Sequence, residues 1–184
     1  DVLTGQYNPS GKLPVTFPRH VGQCPIYYNH KNTGRPWRPN EKYVSGYVDE
    51  TILPAYPFGF GLSYTQFEIG KPELDRNSYA VDDSVNVKVR VKNIGERTGI
   101  ETVQLYLRDI VSSITRPVIE LCGVQQIELK PGEERWLEFT LSSESLGFYD
   151  KSEFKIEPGE FKIFAGNSAQ HLQEQSFYLN SGQN

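Results

Sequence analysis

Aromatic and basic side chains crowd between Tyr27 and Tyr47, and no other stretch of this 184-residue chain is as well equipped to touch a ligand. Tyr27, Tyr28, Asn29, His30, Arg35 and Trp37 are the residue types that stack on sugar rings and hydrogen-bond their hydroxyls. Tyr28, His30, Arg35 and Trp37 are therefore the candidate ligand-binding residues. The same aromatics suit a plainer role, in which they pin an irregular segment to neighbouring domains. That structural role is the preferred reading.

Other routes to chemistry find little support. His20, His30 and His171 are not at metal-ligand spacing from one another, and none sits in a nucleophile motif, so each reads as a solvated loop histidine. Gly59-Phe60-Gly61 and the Gly5/Gly11 pair make neither a GxGxxG nor a Walker loop. The Gly-Phe-Gly element reads instead as backbone that needs tight, non-β geometry. Glycosidic chemistry needs two carboxylates about 5–9.5 Å apart across a cleft. The pairs on offer, Asp49-Glu50, Asp82-Asp83 and Glu133-Glu134, are adjacent residues in expected turns, where solvated charge is the usual reason. Cys24 and Cys122 lie far apart with no metal-site company, and two free, buried thiols are expected. The sequence thus offers no catalytic residue, no metal ligand and no cofactor motif.

The elements that must carry these residues divide the chain in two. The first 60 residues hold eight of the twelve prolines, and the first 67 hold twelve of the 23 aromatics. Periodicity there is poor; only Lys12–Phe17 reads as a short strand, with Pro14 assigning it to an edge. Gly22–Gly61 has the composition of a tether lying across other domains. From residue 65 onward the pattern alternates. Val85, Val87, Val89 and Val91 face one way, and Asn86, Lys88, Arg90 and Lys92 the other, as on a strand with one buried face. Similar runs occur at Val103-Leu105-Leu107, Leu137-Phe139-Leu141, Phe161–Ala165 and Phe177-Leu179. Val118–Leu129 supplies one or two more strands and Thr65–Leu74 the first. Lys130-Pro131-Gly132-Glu133 and Glu157-Pro158-Gly159-Glu160 both read as type II turns. About seven short strands without a convincing helix predict a mostly β fold, an immunoglobulin-like sandwich of the fibronectin type III kind.

Hydrophobic residues at 37%, charged residues at 23% and a net charge of -4 are ordinary globular values. With no Lys/Arg block and no apolar run near the ~18 residues of a membrane span, neither nucleic acid nor membrane is an expected partner. The chain has no methionine, and Asp1–Gly5 reads as the last turn of a helix closing on glycine. Both features predict a piece cut or processed from a longer protein.

Three multi-residue motifs, in order, carry a resemblance. Gln6-Tyr7-Asn8-Pro9-Ser10-Gly11-Lys12-Leu13-Pro14 through Pro18, followed by Gly22-Gln23 and Pro25, then Tyr28-Asn29-His30 and Asn32-Thr33-Gly34-Arg35-Pro36, resembles the closing segment of family 3 glycoside hydrolases, especially the periplasmic-type β-glucosidases. Tyr56-Pro57-Phe58-Gly59-Phe60-Gly61-Leu62-Ser63-Tyr64-Thr65 is similar to that family's entry into its third domain. Gln104-Leu105-Tyr106-Leu107, Arg116-Pro117 and Leu129-Lys130-Pro131-Gly132-Glu133 are similar to its fibronectin-like domain. The resemblance implies a parent with an N-terminal barrel and an α/β sandwich domain. The parent's nucleophile and acid/base would precede everything matched here, so no catalytic residue carries over. It further implies residues 1–35 as the tail of the α/β domain, 36–64 as an inter-domain tether and 65–184 as the fibronectin type III-like domain. The chain would then be a non-catalytic brace in a periplasmic or extracellular enzyme that removes terminal β-linked glucose or a related sugar. Its partners would be the parent's other domains, with a homodimer as a further possibility. A carbohydrate-binding module and an adhesion module remain as alternatives.

Overall fold

The computed structural model describes residues 1–181. Its strands in chain order are β1 (Phe67–Ile69), β2 (Glu73–Leu74), β3 (Ser78–Ala80), β4 (Val85–Asn93), β5 (Gly99–Asp109), β6 (Glu120–Leu129), β7 (Glu134–Leu141), β8 (Phe148–Asp150), β9 (Glu153–Lys155), β10 (Gly159–Gly166) and β11 (Leu172–Asn180). In one sheet β4 is central, with β1 and β2 end to end on one side and β7 on the other, all antiparallel. The second sheet runs β3-β11-β10-β5-β6, antiparallel except where β3 joins β11 in parallel. A small β8–β9 hairpin stands apart from both. The chain is almost all β, and the two sheets form the predicted sandwich.

The alternation read from the sequence is the alternation of burial. Val85, Val87, Val89 and Val91 of β4 face Val103, Leu105 and Leu107 of β5, with Leu137 and Phe139 of β7, Phe161 and Ile163 of β10 and Phe177 of β11 completing the core. β-Branched valines fit the pleated surface with little rotamer loss. Burying each one contributes about 1.5 kcal/mol or more.

Several local expectations change. Thr65–Leu74 is not one strand. It breaks at Gly70-Lys71-Pro72, where proline has no N–H to give a ladder, and the chain then crosses to the other sheet as β3. Lys12–Phe17 does not form a strand either. Its backbone makes isolated pairings, from Leu13 N to Phe60 O and from Phe17 N to Tyr56 O, each at 2.8 Å. Val118–Leu129 yields a single strand, β6. Among the described residues the helical content is one turn, Ser143–Leu146, together with a 3₁₀ turn at Val21–Gln23.

The two Pro-Gly turns differ. Gly132 has φ +75 and Glu133 N donates to Lys130 O at 2.9 Å, as a type II turn requires. Gly159 is outside the positive-φ region because it is already the first residue of β10, paired with Leu179. Asp1–Gly5 closes as a helix C-terminus does: Gly5 has φ +72, Gly5 N donates to Val2 O and Gln6 N to Asp1 O, both at 3.0 Å. Both cysteines are free thiols, but only Cys122 is largely shielded. Its Sγ donates to Leu105 O at 3.3 Å, and desolvation pushes the thiol up to about 12. Cys24 is exposed, contrary to expectation, because it follows the 3₁₀ turn in a segment with no core to enter.

Candidate functional site

Residues 13–17 run alongside residues 55–60, held by Gly59 N to Leu13 O at 2.8 Å and Ala55 N to Phe17 O at 2.9 Å. Beyond this pairing, residues 24–50 loop outward. Within the loop Ser45 N donates to Arg35 O at 2.8 Å, and the hydroxyls of Thr33 and Ser45 meet at 3.0 Å. The indole of Trp37 lies across Gly46, where a Cβ would stand 3.0 Å from Trp37 Cδ1. Glycine is thus what lets the ring settle on the backbone.

The loop folds back over a cleft of about 420 Å³ whose aromatic walls are Tyr27, Trp37 and Tyr47, joined by His30, Thr33 and Ser45. Trp37 is 41% exposed. A sugar-sized ring could stack there and bond to hydroxyls, but the lining includes no Asp or Glu for acid/base work. Of the four candidates, His30 and Trp37 share this cleft. Tyr28 turns towards the sandwich, stacked on Phe58 with centroids 4.3 Å apart and edge-on to Tyr106 at 5.7 Å. Arg35 contributes its carbonyl to the loop, and its side chain is exposed and outside the cleft lining. Among the described residues, no group of three His, Cys, Asp or Glu could hold a metal ion. Nor is any described helix long and apolar enough to cross a membrane.

The segment before residue 65 is seated on the outer face of β5. Gln104 Nε2 donates to Gly59 O and Asn167 O, each at 3.0 Å, while Gln104 Oε1 accepts from Tyr106 Oη at 2.5 Å. The Gly-Phe-Gly reading holds in detail. Gly59 has φ +78, and a Cβ there would fall 1.9 Å from Gln104 Oε1; one on Gly61 would fall 2.4 Å from Gly11 O. Lys12 Nζ pairs with the buried Glu101 carboxylate at 2.7 Å, and Thr102 Oγ1 donates to Ser10 O at 3.2 Å. The β5–β6 connection clamps the same segment, with Val118 N donating to His30 O at 2.9 Å. Inside that connection Arg116 is buried. It meets Glu120 at 2.8 Å, Leu146 O at 2.9 Å and Asp109 at 3.5 Å. Burial raises the Asp109 carboxyl above its ordinary value, with the Arg116 charge opposing it. Glu157 accepts from Ser113 N and Ser112 Oγ, which hold it below the ordinary carboxylate range.

Residues 1–64 match the glycosyl hydrolase family 3 C-terminal domain, and residues 101–169 match the fibronectin type III-like domain. The chain belongs to the family 3 glycoside hydrolases, as their C-terminal region. It is 46% identical over 182 residues to the periplasmic β-glucosidase of Salmonella typhimurium, covering 97% of this chain and 24% of that protein. It is also 37% identical over 179 residues to a putative β-xylosidase of Formosa agariphila, covering 97% and 23%. The crystal structure of a β-glucosidase from Listeria innocua in complex with isofagomine superposes with a TM-score of 0.92 at 42% identity, over 97% of this chain and 26% of that one. The chain thus spans about a quarter of the length of the family 3 relatives it matches.

Two residues of this family 3 region lie within the motifs quoted above, yet residue type gives neither of them a role. Gln104 sits mid-strand between Val103 and Leu105, and its polarity reads as the solvent side of an alternating strand. It is 3% exposed because the backbone of Gly59 and Asn167 covers that face. Gln23, 2% exposed, stands in a stretch without periodicity. Its one sequence mark is its place in the motif Gly22-Gln23 with Pro25, which does not announce what the amide bonds to.

Proposed function

We propose that this chain is the non-catalytic bracing region of a β-glucosidase-like enzyme. Residues 1–35 would end the parent's α/β domain, 36–64 would be the tether and 65–184 the sandwich. The parent would release terminal β-linked glucose or a related sugar by a retaining mechanism, in the periplasm or outside the cell. One observation carries the bracing reading. Of the 23 large hydrophobic side chains exposed among the described residues, fifteen precede Thr65. An open groove of about 470 Å³ walled by Pro9, Leu13, Phe17, Tyr56, Phe60 and Leu62 lies among them. Apolar surface of this extent marks a contact face, and the parent's preceding domains are its natural cover. The buried carboxylates Glu101 and Asp109 are already committed to Lys12 and Arg116. The isolated chain should therefore give no turnover of an aryl β-glucoside above a buffer blank; measured turnover refutes the non-catalytic role.

A second reading draws on the half-open Trp37 ring and its cleft. In the whole enzyme the 24–50 loop would present Trp37, Tyr27, Tyr47 and His30 to a sugar. A cellobiose titration that is flat for the wild type, or unchanged by Trp37→Ala, overturns it.

A further inference from the structure

Residues 24–50 leave the 13–17/55–60 pairing and return to it through one neck, touching the sandwich at Tyr28 and His30 on the way, and the Gln23 side chain bonds to both sides of that neck. Gln23 Oε1 accepts from Arg19 N at 2.6 Å on the incoming side. Its Nε2 donates to Thr51 O at 2.9 Å and to Leu53 O at 3.2 Å on the outgoing side. Other ties across the neck are longer: Arg19 Nε to Leu53 O at 3.3 Å, and His20 Nε2 to Glu50 at 4.0 Å. The Gln23 backbone is fixed in turn, because Gln23 N donates to His20 O at 3.1 Å and the His20 ring caps the 3₁₀ turn through Gly22 N. Gln23 also lines the cleft. Tyr27 and His30 leave from one side of the neck, Tyr47 and Ile52 return on the other, and Trp37 rides on the loop between. The span of the neck therefore acts, together with the Ser45–Arg35 and Thr33–Ser45 bonds, on how far apart the cleft walls stand.

We propose that Gln23 is the positioning residue of this cleft, a neck clamp that closes residues 24–50 into one loop and fixes Trp37 and Tyr47 against Tyr27 and His30. Its purpose rests on the sugar-facing reading above; its mechanics do not. The two Nε2 bonds reach carbonyls 28 and 30 residues away, so losing them opens the loop without touching the sandwich core. Gln23→Glu keeps the shape but turns a carboxylate towards two carbonyl oxygens. A buried carboxyl takes up a proton more readily than an exposed one, and the protonated form regains one O–H donor.

Amide hydrogen exchange on the 184-residue chain tests this. At pH 7, Gln23→Glu should speed exchange within residues 24–53, at the bonded amides of Ser45, Thr51 and Leu53, by roughly tenfold to a hundredfold relative to wild type, with β4 and β5 unchanged. At about pH 4.5 the difference from wild type at the same pH should narrow. Gln23→Met removes all three bonds without burying a charge; it should show the same local acceleration and no recovery in acid. Cellobiose affinity should fall about tenfold in both variants at pH 7. Exchange unaltered in 24–53, or accelerated equally in β4 and β5, overturns the clamp. If wild type does not bind cellobiose while the local acceleration appears, the clamp stands and the sugar-facing reading falls.

Discussion

Replacing Gln104 with leucine removes the joint between the segment before residue 65 and the sandwich while nearly conserving volume. The amide makes three bonds, buried to Gly59 O and Tyr106 Oη and part-buried to Asn167 O. Leucine leaves two carbonyls and one hydroxyl without partners, and each orphaned buried group costs about 1–3 kcal/mol. The low end applies to the carbonyls, which keep a second lone pair, so the total is about 3 kcal/mol. That is a large share of the roughly 5–15 kcal/mol available to a domain. At roughly 2–4 °C per kcal/mol for a chain of this size, the melting temperature should fall by about 6–12 °C. Urea unfolding followed by far-ultraviolet circular dichroism and by tryptophan fluorescence measures the loss, since Trp37 and Trp136 lie on either side of the joint. Tyr106→Phe should cost about 1 kcal/mol alone. The double variant should cost less than the sum, because the hydroxyl orphaned by the first change is removed by the second. A loss below about 1 kcal/mol for Gln104→Leu, or strict additivity in the double variant, refutes the role assigned to the amide.

Two further outcomes follow from charge. Lys12→Met strands the Glu101 carboxylate, whose side chain is 7% exposed; breaking a buried pair from one side costs about 3–5 kcal/mol. Lys12→Met/Glu101→Leu should recover most of that loss in the same urea experiment, and equal losses would mean that the pair is not desolvated. Acid should also act through Glu157, whose native carboxyl lies below its ordinary value of 4.5. A lowered native value adds stability above the unfolded value, lost as pH falls through the native one. Wild type should therefore melt higher than Glu157→Gln at pH 7, with the gap closing below about pH 4.5. Asp109, raised by burial, has the opposite slope and offsets part of this loss in wild type. A gap that widens in acid refutes the assignment.

The sandwich was legible because its energy lies in a periodic term. Val85 through Val91 repeat every second residue, and burying that face dictates β4 whatever its neighbours are. The exceptions arise where position in the sheet outweighs local composition. Lys130-Pro131-Gly132-Glu133 and Glu157-Pro158-Gly159-Glu160 share a dipeptide, yet only the first turns with a positive φ, since Gly159 is claimed by a ladder with Leu179. Likewise Pro72 marks a break in the opening strand, but no local pattern announces that β3 will join β11 in parallel on the far sheet.

The cleft was half legible for a different physical reason. Residue type singled out His30 and Trp37, whose chemistry is apparent from their rings, and the structure brings them together. Tyr28 has the same chemistry and faces the other way, because Phe58 and Tyr106 offer it a stack that the cleft does not. Seating the first 64 residues falls to side chains such as Gln104, Lys12, Gln23 and Asn8, which bond to backbone or charge far away in sequence. Such bonds have no period, so alternation does not reveal them, although all four side chains lie in the motifs that carry the family resemblance. Those of Gln104 and Lys12 also cannot form until β5 exists to receive them. Segment 1–64 should therefore order on the sandwich rather than before it, and its proline and aromatic content is what a segment needs when its partner, not its own repeat, decides its path.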